Sequence, residues 1–239
     1  YSSDELWKIQ SAFCEKRIDG GVIIGSKEDE YEKILEVVEK DFVLSVIDIN
    51  VSEKNKDKAI YINLNNSKGA FEATKYLIDL GHRDIGIITG DINKMSGKVR
   101  FDSFKQALSE SGIELNPDFI AYGDFTEYSG YVGMKKILKS DRRPTAVFVC
   151  NDTMAIGAYK AIGESGLSIP DDISIIGFDN TQIAQYMYPP LTSVSVSLPE
   201  AAKLSADLLI KSIDKKEFKP KVKVVDTTII KRGSCKNIK

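Results

Sequence analysis

The chain has 239 residues, of which 42% are hydrophobic, and its formal net charge is −2. This length and apolar content can build a sizeable core in one large or two small domains. The near-zero charge argues against a broad cationic surface for nucleic acid or an acidic membrane. Three cysteines and one histidine, far apart and without CxxC or Cys/His spacing, argue against a zinc site or a disulfide framework. We therefore expect reduced thiols, no metal and a cytoplasmic protein, and no apolar run approaches membrane-spanning length.

Short apolar runs alternate with longer amphipathic segments, which predicts a mainly parallel α/β sheet with helices on both faces. The predicted strands are Gly21–Ile24, Val43–Ile47, Ala59–Asn63, Asp84–Thr89, Phe119–Tyr122, Thr145–Val149, Ile173–Gly177, Thr192–Val196 and Val222–Ile230. The predicted helices are Asp4–Glu15, Glu28–Glu39, Ser67–Leu80, Lys98–Ser111, Glu127–Lys139, Asp152–Ser165 and Pro199–Ile213.

Residues that begin or end helices support this division of the chain. Gly81, Gly112 and Gly166 each follow a helical pattern, where a left-handed residue is favoured. The stretch from Ser197 to Glu200 has the pattern of a capping box with a proline in the first turn.

Polar or aromatic side chains follow several predicted strands at the point where each strand ends, and in open parallel sheets ligands bind beyond these carboxyl ends. The residues in such positions, including one at the end of a following loop, are Asp48, Asp91, Arg100, Asp124, Phe125, Asn151, Asp152, Asp179 and Asn180. Carboxylates accept hydrogen bonds from vicinal hydroxyls, arginine donates, asparagine does both, and an aromatic face covers a sugar ring. The set therefore suits a polyhydroxylated small molecule.

Several of these residues also have a purely structural interpretation. Asp152 and Asn180 are more typical of helix caps than of ligand contacts, and Asp48 could equally be a turn residue. His82 is more typical of a surface or capping histidine. Asp179, which ends an apolar run, could be a helix cap or a ligand contact. The polar and aromatic residues at the ends of the other strands favour the ligand contact.

Sequence patterns typical of enzymes are missing. The chain has no Gly-x-Ser-x-Gly elbow, no Walker loop and no GxGxxG after a strand, and its single histidine gives no Ser-His-Asp or Cys-His set. We therefore expect a protein that is not an enzyme and needs no cofactor.

Five stretches of the chain form a recurrent pattern: LGHRDIGIITG (80–90), RFDSFKQALSESGI (100–113), GDFTEYSGYVGMKKIL (123–138), RPTAVFVCNDTMAIGAYKAIGESGLSIPDDISIIGFDN (143–180) and YPPLTSVSV (188–196). Together they resemble the effector-binding core of LacI/GalR-type bacterial transcription regulators, which share their fold with periplasmic sugar-binding proteins. The likeness runs in order from about Arg17 to Arg232. It implies an α/β fold with two doubly wound parallel-sheet lobes and a ligand cleft between them, as in type I periplasmic binding proteins.

The resemblance also implies a division of the chain. Residues 1–64 and 195–221 would form the N-terminal lobe, lacking its first strand–helix–strand, and residues 65–194 and 222–239 the C-terminal lobe. The helix-turn-helix DNA head of the family is not recognisable in the sequence. We therefore expect this chain by itself not to bind operator DNA, and interpret it as part of a longer regulator.

Five residues match ligand-contacting positions of the family. Arg100 matches the arginine that contacts the effector, and Asp179 the acid that accepts from effector hydroxyls. Phe125 matches the aromatic that stacks on the ligand, and Asn151 the asparagine that follows the central strand. Asp48 matches a more variable contact from the first lobe.

The resemblance assigns further positions. Lys94 and Ser96 match residues that tune ligand choice, and Ser103 stands where the family has a glycine. Residues implied near a dimer interface are Met154, Ala158, Met187 and Tyr188.

The implied function is an effector-sensing and dimerisation core. A sugar or sugar derivative would bind between the lobes, and closure would be transmitted to operator DNA through a domain absent from this chain. Asn151 favours a sugar over a purine, and we expect a homodimer without a membrane partner. Two alternatives are a periplasmic sugar-binding protein of a transport system and a catabolite-control-type regulator modulated by a phosphorylated carrier protein.

Overall fold

The structure is a computed structural model and describes residues 8, 11–12, 15, 17–24, 42–48, 55–215 and 219–239. The predicted helix Glu28–Glu39 and most of Asp4–Glu15 lie outside these residues. The chain divides into two compact units, a smaller one of Tyr1–Leu64 with Ser197–Val225 and a larger one of Asn65–Val196 with Asp226–Lys239. No helix among the described residues is long and apolar enough to cross a membrane.

The strands and α-helices alternate through most of the described chain. In chain order they are β1 (Gly20–Ile24), β2 (Val43–Ile47), β3 (Ile60–Leu64), α1 (Asn66–Asp79), β4 (Ile85–Thr89), α2 (Met95–Glu110), β5 (Ile120–Tyr122), α3 (Glu127–Ile137), β6 (Ala146–Val149), α4 (Asp152–Glu164), β7 (Ser174–Asp179), β8 (Thr192–Val196), α5 (Leu198–Asp214), β9 (Lys221–Val225) and β10 (Thr227–Ile230). Short 3-10 helices cover Pro117–Phe119 and Gln182–Gln185.

The smaller unit contains a four-stranded parallel sheet in the order β1-β2-β3-β9. Helix α5 packs on one face of this sheet, and Ser205 of the helix donates a hydrogen bond to Ser45 of β2 at 2.7 Å. The buried core on this face consists of Val43, Ile47, Ile60, Ile62, Ala201 and Val225. Ser197 is the N-cap of α5 and Pro199 lies in its first turn, as predicted, but among the described residues the Ser197 side chain makes no capping hydrogen bond.

The larger unit contains a six-stranded sheet in the order β10-β8-β7-β6-β4-β5. All neighbouring strands are parallel except β10, which runs antiparallel to β8. Its four helices pack in two pairs, α1 with α2 and α3 with α4, and each contacts the sheet. This arrangement confirms the predicted α/β fold with parallel sheets.

The C-terminal strand prediction is wrong in one respect. The segment Val222–Ile230 is not one strand but two, because β9 joins the sheet of the smaller unit and β10 joins that of the larger one. Asp226 separates them, and its carboxylate accepts hydrogen bonds from Asn65 at 3.0 Å and Lys68 at 3.2 Å. The units part after Leu64, Val196 and Val225, whereas the resemblance implies crossings near Asn65, Ser195 and Val222.

Helix ends in the larger unit follow the sequence closely. Gly81, Gly112 and Gly166 have φ angles of +100°, +66° and +71°, so the predicted left-handed residues are confirmed.

The prediction that His82 is a surface or capping residue is wrong. The side chain is buried, its Nδ1 lies 2.9 Å from the Thr145 hydroxyl, and its Nε2 donates to the Lys236 carbonyl at 3.1 Å. Burial lowers the pKa of the imidazole, which favours its neutral form, and the side chain links the core to the C-terminal segment.

Candidate ligand-binding site

Arg100 of α2 is the centre of a polar cluster at the carboxyl edge of the larger sheet, and only 5% of its surface is exposed. Its Nη1 donates to the Cys150 carbonyl at 2.6 Å, and its Nε and Nη2 donate to Asn66 Oδ1 at 3.2 and 2.9 Å. Nη2 also donates to Asp179 Oδ1 at 3.1 Å. The guanidinium carbon lies 3.8 Å from the centre of the Phe178 ring. The cation is thus held from several sides in one orientation.

Asp179 is the last residue of β7 and brings an acceptor to the same edge. Its side chain is 36% exposed, and its φ angle of +95° turns the chain out of the strand. Its Oδ1 accepts from Arg100, whereas no described residue donates a hydrogen bond to its other oxygen. This oxygen is therefore available to a hydroxyl donor.

Phe125 supplies a half-buried aromatic ring between β5 and α3. The ring lies directly over Gly90, at a position where a side chain on that glycine would collide with it. Asn151 donates from Nδ2 to the Phe125 carbonyl at 3.1 Å, and Lys94 Nζ lies 5.9 Å from the ring centre. The left-handed backbone of Phe125, with φ of +73°, is thus held by the side chain of Asn151.

Asn151 is the N-cap of α4. Its Oδ1 accepts from the Met154 backbone N–H at 2.8 Å, while its amide nitrogen holds the Phe125 carbonyl. One amide N–H is left over, so Asn151 combines a structural role with one donor. Together these four side chains offer an acceptor, limited donors and an apolar face, which suits a small hydroxylated ring.

The chain is similar to known proteins both in sequence and in fold. A family model described as a periplasmic binding protein-like domain matches residues 74–235. The chain is 38% identical over 225 residues to the HTH-type transcriptional repressor PurR of Histophilus somni strain 129Pt, which covers 94% of this chain and 67% of that protein. It is 40% identical over 196 residues to the ribose operon repressor of Haemophilus influenzae, covering 82% of this chain and 58% of that protein.

Among solved structures, a LacI family transcriptional regulator from Enterococcus faecium with bound ribose superposes with a TM-score of 0.86 at 28% identity. The superposition covers 100% of this chain and 85% of that one. The chain belongs to the LacI/GalR family. It is an effector-binding domain of that family, and it spans about two thirds of the length of the PurR repressor and 58% of the ribose operon repressor. Both relatives are named as repressors, not as enzymes.

Four residues that the resemblance implies as ligand contacts form two contacting pairs, Arg100 with Asp179 and Asn151 with Phe125, and their role as ligand contacts stays a prediction. Asp48 follows β2 in the smaller unit with a φ angle of +59°, and its role as a ligand contact stays a prediction.

The two residues assigned to ligand choice lie where α2 begins. Lys94 is the N-cap residue of α2 and is exposed, whereas Ser96 is half-buried in the first turn, one helical turn before Arg100. Their contribution to specificity stays a prediction.

Two cap predictions are wrong. Asp152 is already the first helical residue of α4, because the extended backbone at Asn151 makes that residue the cap. Asn180 does not cap the short helix that follows β7, which begins after Thr181. Instead, the Asn180 side chain accepts from Arg232 Nη2 at 2.7 Å.

Two further acids at strand ends are used within their own turns. Asp91 accepts from the Asn93 backbone and side chain, and Asp124 accepts from the Thr126 backbone and hydroxyl at 3.0 and 2.6 Å. Hydrogen bonds from Thr126 lower the pKa of Asp124. Neither acid is needed to explain a ligand site.

Two of the four residues implied near a dimer interface are buried, so that assignment stays a prediction. Met154 and Ala158 are fully buried within the larger unit and could lie near an interface only beneath its surface. The chain around Gly130 packs against the backbone of Met154, which leaves that face of α4 inside the α3–α4 pair. Met187 is half-buried and Tyr188 is 95% exposed, so these two residues stay candidates.

Sequence reasoning missed Asn66 as a member of the site. It is buried in the first turn of α1, and its Oδ1 accepts two hydrogen bonds from Arg100. Its place just after β3 was a usable signal, but an asparagine pair at a helix start is explained equally well by capping.

Proposed function

We propose that the chain is the effector-sensing core of a LacI-type repressor, and that it binds a small sugar or sugar derivative at the carboxyl edge of the larger sheet. The observation that supports this most is the pairing of buried Arg100 with Asp179, which leaves the second carboxylate oxygen of Asp179 without a donor among the described residues. The repressor relatives favour this function over that of a binding protein for transport.

The hydrogen bonds already made at the site limit what a ligand can be. Arg100 has five N–H groups and uses four of them on Asn66, Cys150 and Asp179. Asp179 accepts but cannot donate when it is ionised, and Asn151 has one N–H left. A ligand must therefore donate to Asp179 and accept from at most a few N–H groups, which vicinal hydroxyls do. The ribose bound in the Enterococcus faecium regulator is consistent with this class of ligand.

We further propose that a longer protein containing this core couples effector binding to operator affinity. A ligand shifts a conformational equilibrium only by its differential affinity for the two states. The HTH-type naming of the PurR relative supports a DNA-binding output.

Homodimerisation is part of the same proposal. Exposed apolar and aromatic side chains around the short helix after β7 support it: Ile183, Tyr186 and Tyr188 are 44%, 70% and 95% exposed. We expect a Tyr188→Asp variant to sediment as a monomer under conditions in which the unchanged chain sediments as a dimer. Unchanged sedimentation would exclude this face.

A thermal-shift screen tests the ligand class, with D-ribose, other pentoses and hexoses, and the nucleobases adenine and hypoxanthine. We expect a sugar to raise the unfolding temperature, with calorimetry confirming a stoichiometric complex. An Asp179→Asn variant should lose this shift. Stabilisation by a nucleobase and by no sugar would replace the sugar assignment with a purine one.

A further inference from the structure

The turn that presents Asp179 has an unusual backbone. Asp179 and Asn180 are consecutive residues with φ angles of +95° and +48°. Residues other than glycine rarely adopt such positive φ angles. Such residues persist only where the surrounding structure holds them in place. The described structure therefore has to supply that restraint.

A buried carboxylate directly behind the turn supplies part of the restraint. Asp152 is 0% exposed, and its Oδ2 accepts from the Thr181 backbone N–H at 2.6 Å and from the Thr181 hydroxyl at 3.0 Å. Its Oδ1 accepts from the Ser193 hydroxyl at 2.6 Å. Gly177 leaves the space for this carboxylate, because a side chain there would collide with Asp152 Oδ1.

Ser193 connects the carboxylate to the turn itself. Its hydroxyl, which donates to Asp152, also accepts from the Asn180 backbone N–H at 3.1 Å. The two N–H groups that follow Asp179 are thus both held, one by Asp152 and one by Ser193. Arg232 adds a third restraint through the Asn180 side chain. We call Asp152, Ser193 and Arg232 the clamp.

We propose that Asp152 and Ser193 are positioning residues of the effector site, which hold Asp179 against Arg100 and so set effector affinity without touching the effector. Both are completely buried, so a direct ligand contact is closed to them. The inference rests on the proposed function, in which the Asp179 carboxylate binds the effector.

The main experiment compares two buried serines in neighbouring strands. Ser193→Ala removes the hydroxyl that joins Asp152 to Asn180, whereas Ser174→Ala removes an equally buried hydroxyl whose partner is the Lys236 N–H, away from the turn. Calorimetry with D-ribose is done at a temperature at which both variants are fully folded. We expect about tenfold weaker binding for Ser193→Ala, because the Asn180 N–H loses its acceptor and Asp152 loses a donor, and unchanged binding for Ser174→Ala. Equal affinity of the two variants would overturn the proposal.

Substitutions at Asp152 separate positioning from bulk stability. Asp152→Ala should weaken ribose binding as Ser193→Ala does. Asp152→Asn can still accept from the Thr181 N–H and donate to the Ser193 hydroxyl, so we expect it to keep affinity within about threefold of the unchanged chain. Loss of affinity in Asp152→Asn equal to that in Asp152→Ala would contradict a positioning role based on these hydrogen bonds.

A second readout needs no ligand and separates failure of this proposal from failure of the proposed function. Amide hydrogen exchange at Asn180 and Thr181 reports the clamp directly. We expect at least about tenfold faster exchange at Asn180 in Ser193→Ala than in Ser174→Ala, since its acceptor is lost. If no sugar binds the unchanged chain, the proposed ligand class is wrong. Hydrogen exchange then tests the clamp by itself, and equal exchange at Asn180 in Ser193→Ala and in the unchanged chain would refute it.

Discussion

Arg100 Nη2 lies 3.1 Å from Asp179 Oδ1, and this contact joins helix α2 to the end of strand β7. The arginine side chain is only 6% exposed and the aspartate side chain 36% exposed, so the pair has a buried side and an open side. On the buried side, Arg100 uses four of its five N–H groups in hydrogen bonds, whereas the open side presents a carboxylate oxygen. This asymmetry predicts different consequences for substitutions at the two residues.

Asp179→Asn tests the open side. The amide keeps an oxygen for Arg100 but loses the negative charge, so we expect ribose affinity to fall by about 10- to 100-fold, the effect of losing about 1.5–3 kcal/mol from a hydrogen bond to a charged group. The unfolding temperature should change little, because the side chain is partly exposed. Calorimetry and thermal unfolding measure the two effects, and unchanged affinity would remove Asp179 from the binding site.

Arg100→Ala tests the buried side. The substitution leaves Asn66 Oδ1 and the Cys150 carbonyl without the donor that they share, so binding and folding should both suffer. We expect the free energy of unfolding in urea to fall by about 2–4 kcal/mol.

The matched control for Arg100→Ala is Arg142→Ala. Arg142 also pairs with an aspartate, Asp84, at 2.6 Å, but its side chain is 73% exposed. We expect Arg142→Ala to change the free energy of unfolding by no more than about 0.5 kcal/mol. Equal destabilisation of the two variants would mean that the network around Arg100 adds nothing to stability.

The fold could be predicted because alternation of apolar runs and helical periodicity is a local property. Strands β2 and β8 match their predicted bounds to the residue. The crossing at Asp226 could not be found in the same way, because one acid inside the apolar run Val222–Ile230 does not say which sheet each half joins. That choice depends on partners far away in the sequence.

The candidate site, too, depends on contacts between residues that are far apart in the sequence. Arg100 and Asp179 were predicted from strand ends and family resemblance, and the structure brings them together. Asp152 was misinterpreted as a cap because its partners, Thr181 and Ser193, are about 30 and 40 positions away. Cap residues and buried network residues have the same composition, so only the fold distinguishes them.

Gly90→Ala is expected to disturb the aromatic side of the site. A methyl group at Gly90 meets the Phe125 ring, which must move away from it. Because the ring is half-buried at the edge of the sheet, we expect a moderate loss of stability, about 1–2 kcal/mol, and a clear loss of ribose affinity by calorimetry.

The control for Gly90→Ala is Gly163→Ala in α4, where nothing lies within 4 Å of the added methyl group. Alanine is the better helix former, so stability there should rise by about 0.5–1 kcal/mol and affinity should not change. Unchanged ribose binding in Gly90→Ala would show that the position of the Phe125 ring does not matter for the ligand.

Asp152 predicts a pH dependence of stability. Burial, with a smaller contribution from the charge of Asp179, raises the pKa of its carboxyl from 3.8 to about 6, even though hydrogen bonds from Ser193 and Thr181 lower it. Because the pKa of Asp152 is higher in the folded than in the unfolded chain, the native state binds more protons than the unfolded state at pH values between the two pKa values. The contribution of Asp152 to stability is therefore complete below about pH 4 and is lost as the pH rises to about 6.

Comparison with Asp152→Asn isolates this contribution, because the amide does not titrate and keeps the volume of the side chain. Between about pH 4 and pH 7, the free energy of unfolding of the unchanged chain should fall relative to the variant by up to about 3 kcal/mol. Urea unfolding at roughly pH 4.5, 5.5, 6.5 and 7.5, in buffers matched in ionic strength, measures the free energy of unfolding of both proteins. These pH values span the titration of the Asp152 carboxyl. Parallel curves for the two proteins would show that the Asp152 carboxyl titrates in the folded protein as it does in the unfolded chain, and that its hydrogen bonds fully offset its burial.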